Sequence, residues 1–305
     1  MKITIIGPGA IGCLFAGILK AGGEEVCLFD RNKKRAACIQ KNGLKINGLT
    51  NLKTKVEVLS DYKKTSKSDL VIFAVKSYDL KEAAEKIKKS PLGKSSFFIG
   101  LQNGLGNTEI LCRVFGRQKV FSAVTSQGST LLKEGQCRHA GKGVTYLGGG
   151  SDAQQSVLRQ IEGMFNRCGI ESEIKENIES LVWGKLVASV GINAITAICR
   201  IKNGEILKNK DARCLLSLLI KEAVSVAHAL KIKLPYDDAV KYAETICRRT
   251  ANNISSMLQD VQRGKKTEID FINGAIIKEA KKLNLPVPCN ETVTYLVKAI
   301  NMVDS

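Results

Sequence analysis

The chain has 305 residues, 44% of them hydrophobic, and a formal net charge of +18. That length exceeds what one hydrophobic core usually serves, so we expect two domains. No run of 18 or more apolar residues occurs, and the N-terminus lacks the pattern of a secretory signal, which argues against a membrane protein and predicts a soluble protein of the cytoplasm.

The cysteine pattern argues against a metal site. Ten cysteines are scattered along the chain without a C-x-x-C pair, and only two histidines accompany them. Cys13, Cys27 and Cys199 lie inside apolar runs, where a reduced thiol behaves as a small buried hydrophobic group. We therefore expect no metal and a reducing compartment.

The excess of basic residues permits three interpretations: nucleic-acid binding, an anionic small ligand or a lysine-rich surface. The basic residues include dispersed pairs such as Lys63-Lys64 and Lys88-Lys89, and aromatic residues make up only 5% of the chain. A stacking platform for single strands is therefore poorly supported. We favour a basic surface, expect no nucleic-acid or membrane partner, and keep an attraction for anionic substrates open.

The N-terminal part has the pattern of a parallel sheet with crossover helices, because short β-branched runs alternate with helical stretches from Met1 to about Lys175. Helices are predicted after the first, third and fourth strands, with a further helix beginning near Lys33. Another helix and a short strand complete this part. The predicted strands before them are KITIIG, EEVCLFD, DLVIFAV, SFFIGLQ, KVFSAVT and GVTYLGG.

The C-terminal part, from Glu176 to Val303, has apolar residues at helical spacing and no sustained strand alternation. We predict an all-helical domain with breaks at Asn203-Gly204, Pro235, Gly264 and Pro286 to Pro288.

A glycine pattern, Gly7-x-Gly9-x-x-Gly12, stands between the first predicted strand and its helix. The first glycine can make a tight turn, the second lets a pyrophosphate approach the backbone, and the third permits close packing, while the helix N-terminus attracts the phosphates. Any tight strand-to-helix loop could have the same pattern, but its place near the N-terminus favours a dinucleotide site. The predicted fold class is α/β, with a Rossmann-type dinucleotide-binding domain over residues 1–175 and an all-α domain over 176–305.

The choice of dinucleotide depends on Asp30 and Arg31 at the end of the second predicted strand. A carboxylate there accepts hydrogen bonds from the ribose hydroxyls and repels a 2′-phosphate, which favours NAD, whereas a guanidinium binds that phosphate and favours NADP. Both residues are present. We favour NADP and keep NAD open because of Asp30.

Polar residues in three apolar stretches are candidates for a catalytic site. Asn103 follows the fourth predicted strand, at the sheet edge where ligands bind, although an asparagine there could equally serve a turn. Lys185, Ser189 and Asn193 fall at i, i+4 and i+8 on one face of an otherwise apolar helix, which favours a functional surface over a lysine that merely reaches solvent.

The third stretch contains Asn253 and Ser256, which we expect to share a helical face. Beyond it, Thr267-x-x-Asp270 resembles a capping box and places Glu268 in the first turn of a new helix. A glutamate there could simply complement the helix dipole. The other polar residues nearby favour a site.

Together these stretches resemble the ketopantoate reductase family over essentially the whole chain. The matching pieces are KITIIGPGAIG, AVKSYD, QNGLG, the W-G-K-L and GINAITAI run, NGE and NISSMLQDVQRGKKTEIDFING. The family reduces ketopantoate to pantoate with NADPH in pantothenate and coenzyme A synthesis. The resemblance therefore implies a 2-oxoacid substrate, and it leaves a homodimer open.

The resemblance also implies roles for individual residues. Lys185 is the implied catalytic acid, with Glu268 as its supporting carboxylate; a lysine suits this role because hydride addition to a ketone builds negative charge on oxygen. The implied dinucleotide contacts are Gly7, Pro8, Gly9, Ala10, Ile11, Gly12, Arg31, Lys76 and Asn103. The implied substrate contacts are Asn103, Lys185, Ser189, Asn193, Asn203, Asn253 and Ser256.

Two departures from the family leave alternatives open. Ser189 stands where well-known members have asparagine, so that contact is shorter, and Asp30 beside Arg31 weakens the usual preference for NADP. A related 2-oxoacid or β-hydroxyacid reductase is one alternative. A dinucleotide-sensing or nucleic-acid-binding protein without turnover is the other.

Overall fold

The structure is a computed structural model that describes residues 1–95, 97–151 and 154–303, with side chains up to residue 300. Its internal contacts divide the chain into two compact units. The first comprises Met1–Gln102 and Asn107–Ile178, and the second comprises Asn103–Gly106 and Glu179–Ser305. The short segment Asn103–Gly106 thus folds with the C-terminal residues although it follows a strand of the first unit.

The strands of the described residues all lie in the first unit and form two sheets. In chain order they are β1 (Lys2–Ile6), β2 (Glu25–Phe29), β3 (Leu44–Gly48), β4 (Leu52–Thr54), β5 (Glu57–Leu59), β6 (Leu70–Phe73), β7 (Phe97–Gly100), β8 (Val120–Thr125), β9 (Gly128–Lys133), β10 (Gln136–Gly141), β11 (Thr145–Gly148) and β12 (Ser172–Ile174).

The main sheet has eight strands in the order β12-β11-β8-β7-β6-β1-β2-β5. All neighbouring strands are parallel except β8 and β11. β6 is buried along its whole length, as expected of a strand covered on both faces. The chain first builds outward from β1 to β2 and β5 and then returns to β6 on the other side of β1. The loops after β1 and β6 therefore lie at a topological switch point, where open α/β sheets bind ligands.

The helices surround this sheet in the first unit, and the described part of the second unit is built of α-helices and short 3-10 segments. Those of the first unit are α1 (Ala10–Ala21), α2 (Lys33–Asn42), α3 (Ser77–Lys88), α4 (Asn107–Phe115) and α5 (Gln155–Arg167). Those of the second are α6 (Ile178–Cys199), α7 (Lys210–Ala229), α8 (Ala239–Arg249), α9 (Ser256–Val261), α10 (Asn273–Lys282) and α11 (Pro288–Val303). The predicted breaks lie between these α-helices, except that Pro288, at the end of the last break, is already the first residue of α11. Helix α6 begins one residue before the second unit.

A second sheet, of four strands in the order β4-β3-β10-β9, is absent from the prediction. β3 and β10 pair in parallel although many residues separate them in the chain. Helix α1 packs against strands of both sheets, which explains why it is buried without interruption from Gly12 to Leu19. The predicted fold class is confirmed, with this second sheet as an addition.

Helix α6 is the central helix of the second unit. By length and composition it could cross a membrane, alone among the helices of the described residues, but 67% of its most apolar window is buried inside the protein. Its apolar side chains pack on α7, where a Cβ on Gly191 would lie 2.5 Å from Cδ1 of Leu216. The hydrophobicity of α6 is thus that of a core helix.

The cysteines are free thiols throughout the chain. Cys13 and Cys27 are buried as predicted, and burial raises the pKa of the Cys13 thiol far above its ordinary value. The prediction was wrong for Cys199, which is exposed because it is the last residue of α6.

Candidate active site

The loop after β1 is built around two glycines that the fold itself requires. Gly7 has φ +99°, and a Cβ there would lie 2.9 Å from the backbone nitrogen of Val75. A Cβ on Gly12 would lie 2.0 Å from the carbonyl oxygen of Gly7. Both positions exclude a side chain, because the obstacle in each case is backbone.

Gly9 differs from its two neighbours in the pattern. It is the N-cap of α1 with φ −73°, a conformation open to any residue, and the nearest atom to a Cβ would be 3.8 Å away. The first turn of α1 carries no acidic side chain, and no side chain caps it. A dinucleotide diphosphate fits this place, because glycine keeps the space empty and the helix N-terminus favours an anion.

The carboxylate of Asp30 is 2% exposed and is held by Arg35 from the first turn of α2. Arg35 donates from Nε to Oδ2 at 2.5 Å and from Nη2 to Oδ1 at 2.8 Å, and the Asn32 backbone N–H donates to Oδ1 at 3.0 Å. The hydrogen bonds that Arg35 donates to Asp30 raise the pKa of Arg35. Asp30 is therefore a neutralised partner of Arg35 rather than an isolated charge beside a ribose.

The guanidinium of Arg31 forms ion pairs with helix α3. Nη2 donates to Asp79 at 3.1 Å and Nη1 donates to Glu82 at 3.4 Å, both on α3. Lys76, which follows β6, is the N-cap residue of the same helix. The structure thus brings Arg31 and the start of α3 together at the switch point of the sheet.

Lys185, Ser189 and Asn193 form a polar face on α6, as the spacing predicted. Between Trp183 and Ala197 these three are the residues that retain partial exposure, while all others in that stretch are buried. A helix that is otherwise covered by core side chains therefore opens only along this face.

The Lys185 ammonium lies in apolar surroundings and has polar partners. Nζ donates a hydrogen bond of 2.8 Å to Oδ1 of Asn103. Burial lowers the pKa of Lys185 to about 8, and the negative charge of Glu268 acts in the opposite direction. Glu268 is itself only 5% exposed. Lys185 is therefore a proton donor that is mostly charged at neutral pH and loses its proton at mildly alkaline pH.

The segment Asn103–Gly106 is fixed to the residues after Glu268. The Leu105 backbone N–H donates to the carbonyl oxygen of Phe271 at 3.0 Å, and a Cβ on Gly104 would lie 2.1 Å from that oxygen. Gly104 also has φ +88°, so glycine is needed there twice over. These contacts hold Asn103 in place for its bond to Lys185.

The capping-box interpretation of Thr267 was wrong. Residues Ile269–Phe271 form a 3-10 turn, and α10 begins only at Asn273. Glu268 precedes the turn without a capping hydrogen bond from its side chain. The three-residue spacing that suggested a cap thus belongs to a short 3-10 turn. The charge of Glu268 acts on Lys185.

The remaining predicted residues gather near the start of α9. The Asn203 backbone N–H donates to the carbonyl of Asn253 at 3.1 Å, and Asn203 Nδ2 donates to Thr250 at 2.9 Å. Asn203 is 7% exposed, and its Oδ1 has no hydrogen-bond partner among the residues described. Asn253 lies outside the helix, contrary to prediction, because Ser255 caps α9 and the helix begins at Ser256.

Sequence reasoning missed the residues that join this group to α6. Thr196 Oγ1 donates to Ser255 Oγ at 2.7 Å, and it also lies 3.1 Å from the carbonyl oxygen of Asn193. Both hydroxyls are buried. A signal was present, since Thr196 continues the face of Asn193 at i+3. Arg35, Asp79 and Glu82 gave no comparable signal.

No group of three or more histidine, cysteine, aspartate or glutamate side chains within the described ranges could hold a metal ion. The predicted site residues offer a lysine ammonium, a carboxylate, amides and hydroxyls.

A doubly wound sheet with this glycine loop, followed by a helical unit with a buried lysine, defines the class of two-domain oxidoreductases that use a dinucleotide. The model of the family described as ketopantoate reductase PanE/ApbA matches residues 3–152, and the model of its C-terminal domain matches residues 177–301. The chain belongs to the ketopantoate reductase family, which confirms the resemblance seen in the sequence.

Individual relatives agree with this assignment over the full length. A 2-dehydropantoate 2-reductase of Pyrococcus horikoshii is 38% identical over 302 residues, covering 98% of this chain and 97% of the relative. A crystal structure of a PanE/ApbA family ketopantoate reductase from Ralstonia eutropha JMP134 has a TM-score of 0.91 at 31% identity and covers 100% of this chain and 99% of that one.

The fold is shared beyond that activity. D-mandelate dehydrogenase, solved with NADH and anilino(oxo)acetate, has a TM-score of 0.93 at 24% identity, covering 100% of this chain and 99% of the dehydrogenase. At that identity the similarity concerns the fold alone.

Proposed function

We propose that the protein is a 2-dehydropantoate 2-reductase that reduces ketopantoate to pantoate with NADPH. The main observation in support of this reaction is the Lys185 ammonium. It donates a hydrogen bond to Asn103, and the negative charge of Glu268 favours its protonated form. The full-length relatives named for this reaction support the choice of substrate. The reaction belongs in this proposal to pantothenate and coenzyme A synthesis in the cytoplasm.

In this proposal the first 175 residues bind the dinucleotide and residues 176–305 bind the keto acid. The diphosphate lies against the loop of Gly7, Pro8, Gly9, Ala10, Ile11 and Gly12, where the space at Gly9 supports it. Arg31 and Lys76 bind the 2′-phosphate. Because Arg35 neutralises Asp30, that carboxylate favours NADH less than the sequence suggested.

The proton chemistry rests on Lys185. The dihydronicotinamide, when bound, supplies a hydride for the carbonyl carbon of the substrate. Negative charge then develops on the carbonyl oxygen, and the Lys185 ammonium stabilises it and transfers a proton to that oxygen, which leaves a neutral amine. Glu268 keeps the ammonium protonated beforehand, and Asn103 holds Nζ in one position.

Neutral polar groups complete the substrate site in this proposal. Ser189 and Asn193 lie on the face of Lys185, while Asn203, Asn253 and Ser256 lie around the start of α9. Amides and hydroxyls orient the carboxylate and hydroxyl group of ketopantoate without adding a charge that would compete with Lys185. The shorter Ser189 leaves room for a water molecule in its contact.

Steady-state turnover of a panel of 2-oxoacids tests this function. We expect the highest kcat/KM for ketopantoate, with NADPH preferred over NADH. The panel includes benzoylformate, the keto acid that corresponds to mandelate, because D-mandelate dehydrogenase shares the fold. A higher kcat/KM for any other acid would overturn the choice of substrate, and the absence of turnover with the whole panel would overturn the enzymatic function.

The pH dependence of the reaction follows from the pKa of Lys185, which burial lowers to about 8. The ammonium is the required proton donor, so the active form exists below that pKa and is lost above it. We expect kcat/KM for ketopantoate to fall about tenfold per pH unit above pH 8. Rate profiles from pH 6 to 10 measure this effect.

The variant Lys185→Arg is the control for the pH profile. A guanidinium does not lose its proton in this range, so the variant should be slow and should lack the limb above pH 8. A wild-type profile that stays flat to pH 9.5, or a limb that persists in Lys185→Arg, would contradict the assignment.

A further inference from the structure

The guanidinium of Arg31 is already engaged at both of its terminal nitrogens. Asp79 accepts from Nη2 at 3.1 Å and Glu82 accepts from Nη1 at 3.4 Å. A 2′-phosphate gripped by an arginine fork uses these same donors. The two carboxylates and a phosphate therefore compete for one set of hydrogen bonds.

We propose that Asp79, with Glu82, limits the selectivity of this protein for NADPH over NADH by holding Arg31 until a 2′-phosphate displaces them. The inference rests on the dinucleotide site of the proposed function. It assigns part of the selectivity between NADPH and NADH to carboxylates near the start of α3. The acidic residue that usually sets this selectivity lies at the end of β2.

Asp30 is not the main source of repulsion toward a 2′-phosphate. Both of its carboxylate oxygens accept from the fork of Arg35, and the side chain is almost fully buried. The two charges of that pair largely cancel at the distance of a bound ribose. The carboxylates that face the exposed guanidinium of Arg31 are those of α3.

Asp79 is expected to matter more than Glu82. Glu82 also pairs with Lys86 one turn later, so part of its charge is compensated. Asp79 is nearer to Arg31, is 28% exposed against 54% for Glu82, and lies in the first turn of α3, where the helix dipole stabilises a carboxylate. Pairs as exposed as that of Arg31 are weak, so a phosphate dianion can displace them.

The test compares the binding of 2′,5′-ADP, which carries the 2′-phosphate, with the binding of 5′-AMP, which lacks it. Asp79→Asn should tighten the binding of 2′,5′-ADP about threefold to tenfold, as expected for the loss of one nearby negative charge. The double variant with Glu82→Gln should tighten it further. Binding of 5′-AMP should change less than twofold, and the ratio of KM values for NADH and NADPH should rise in parallel.

Glu85→Gln is the matched control, because it removes the same charge from an exposed position of α3 outside the Arg31 ion pairs. It should leave both ligands unaffected. Arg31→Ala should weaken the binding of 2′,5′-ADP but not that of 5′-AMP, and it should abolish the effect of Asp79→Asn. Either of two results in Asp79→Asn would overturn the inference. Unchanged binding of 2′,5′-ADP would mean that the Asp79 carboxylate does not compete with the phosphate for Arg31. Weaker binding would mean that the carboxylate positions Arg31 for the phosphate.

These outcomes separate the inference from the proposed function. A gain of 2′,5′-ADP affinity in a protein that does not reduce ketopantoate would support the inference and contradict the activity. Efficient NADPH-dependent reduction of ketopantoate with no response to Asp79→Asn would support the activity and contradict the inference.

Discussion

Replacing Lys185 with alanine should lower kcat for ketopantoate reduction by a factor of about one hundred or more, the scale of a lost proton donor and oxyanion contact. The alanine methyl group cannot reach a keto oxygen, and Asn103 would lose the donor that it binds at 2.8 Å. Because the lysine acts on charge that develops during the reaction, kcat should fall far more than the affinity for the dinucleotide. Rapid and steady-state kinetics measure the first quantity, and fluorescence titration with NADPH measures the second.

A control is needed because Glu268 is buried and would lose the cation that its charge influences. Lys185→Met keeps the length of the side chain and removes the charge, so it should be as inactive as Lys185→Ala. Thermal unfolding of each variant shows whether the fold persists. A folded Lys185→Ala protein with unchanged kcat would refute the role of general acid.

Alanine substitutions at Gly12 and Gly9 should both weaken dinucleotide binding, but only the one at Gly12 should cost much stability. A Cβ at Gly12 collides with the backbone of Gly7, so Gly12→Ala should lower the free energy of unfolding by about 3 kcal/mol and weaken dinucleotide binding as the loop shifts. Gly9 has space and an ordinary φ, so Gly9→Ala should change the free energy of unfolding by only about 0.5 kcal/mol. The methyl group would stand where the diphosphate approaches, and NADPH affinity should fall about tenfold or more.

Urea unfolding and NADPH titration of both variants measure this split. The comparison is informative because it separates a glycine required by the fold from one required by a ligand. If Gly9→Ala bound NADPH as tightly as the wild type, the diphosphate could not lie against this loop. If Gly12→Ala were as stable as the wild type, the loop would have to be able to move away from Gly7.

The sequence predicted the parts of the fold in which local pattern and final environment agree. The long apolar stretch of α6 has one period and one polar face, so Lys185, Ser189 and Asn193 could be placed together correctly. The second sheet could not be predicted in this way. Its strands mix basic residues and glycine with apolar residues, and β3 and β10 pair across a long separation in the chain.

The candidate site shows the same division. The spacing predicted that Asn253 and Ser256 lie on one helix, but Ser255 is the N-cap and the helix begins only after it. Asp30 and Arg31 were singled out by their place at the end of the second strand. Their partners were not, because Asp79 lies 48 residues beyond Arg31 and no periodicity connects them.

The segment Asn103–Gly106 limits how the protein can be divided. It belongs to the second unit by its contacts, although the polypeptide reaches it from β7 and leaves it into α4 of the first. A fragment consisting of residues 179–305 would possess Lys185 and Glu268 but not the amide that receives the lysine hydrogen bond, nor the backbone N–H that binds Phe271. Exchanging C-terminal halves between relatives at a single junction would therefore combine a lysine from one parent with its asparagine from the other, so a working chimaera has to transfer both pieces of chain.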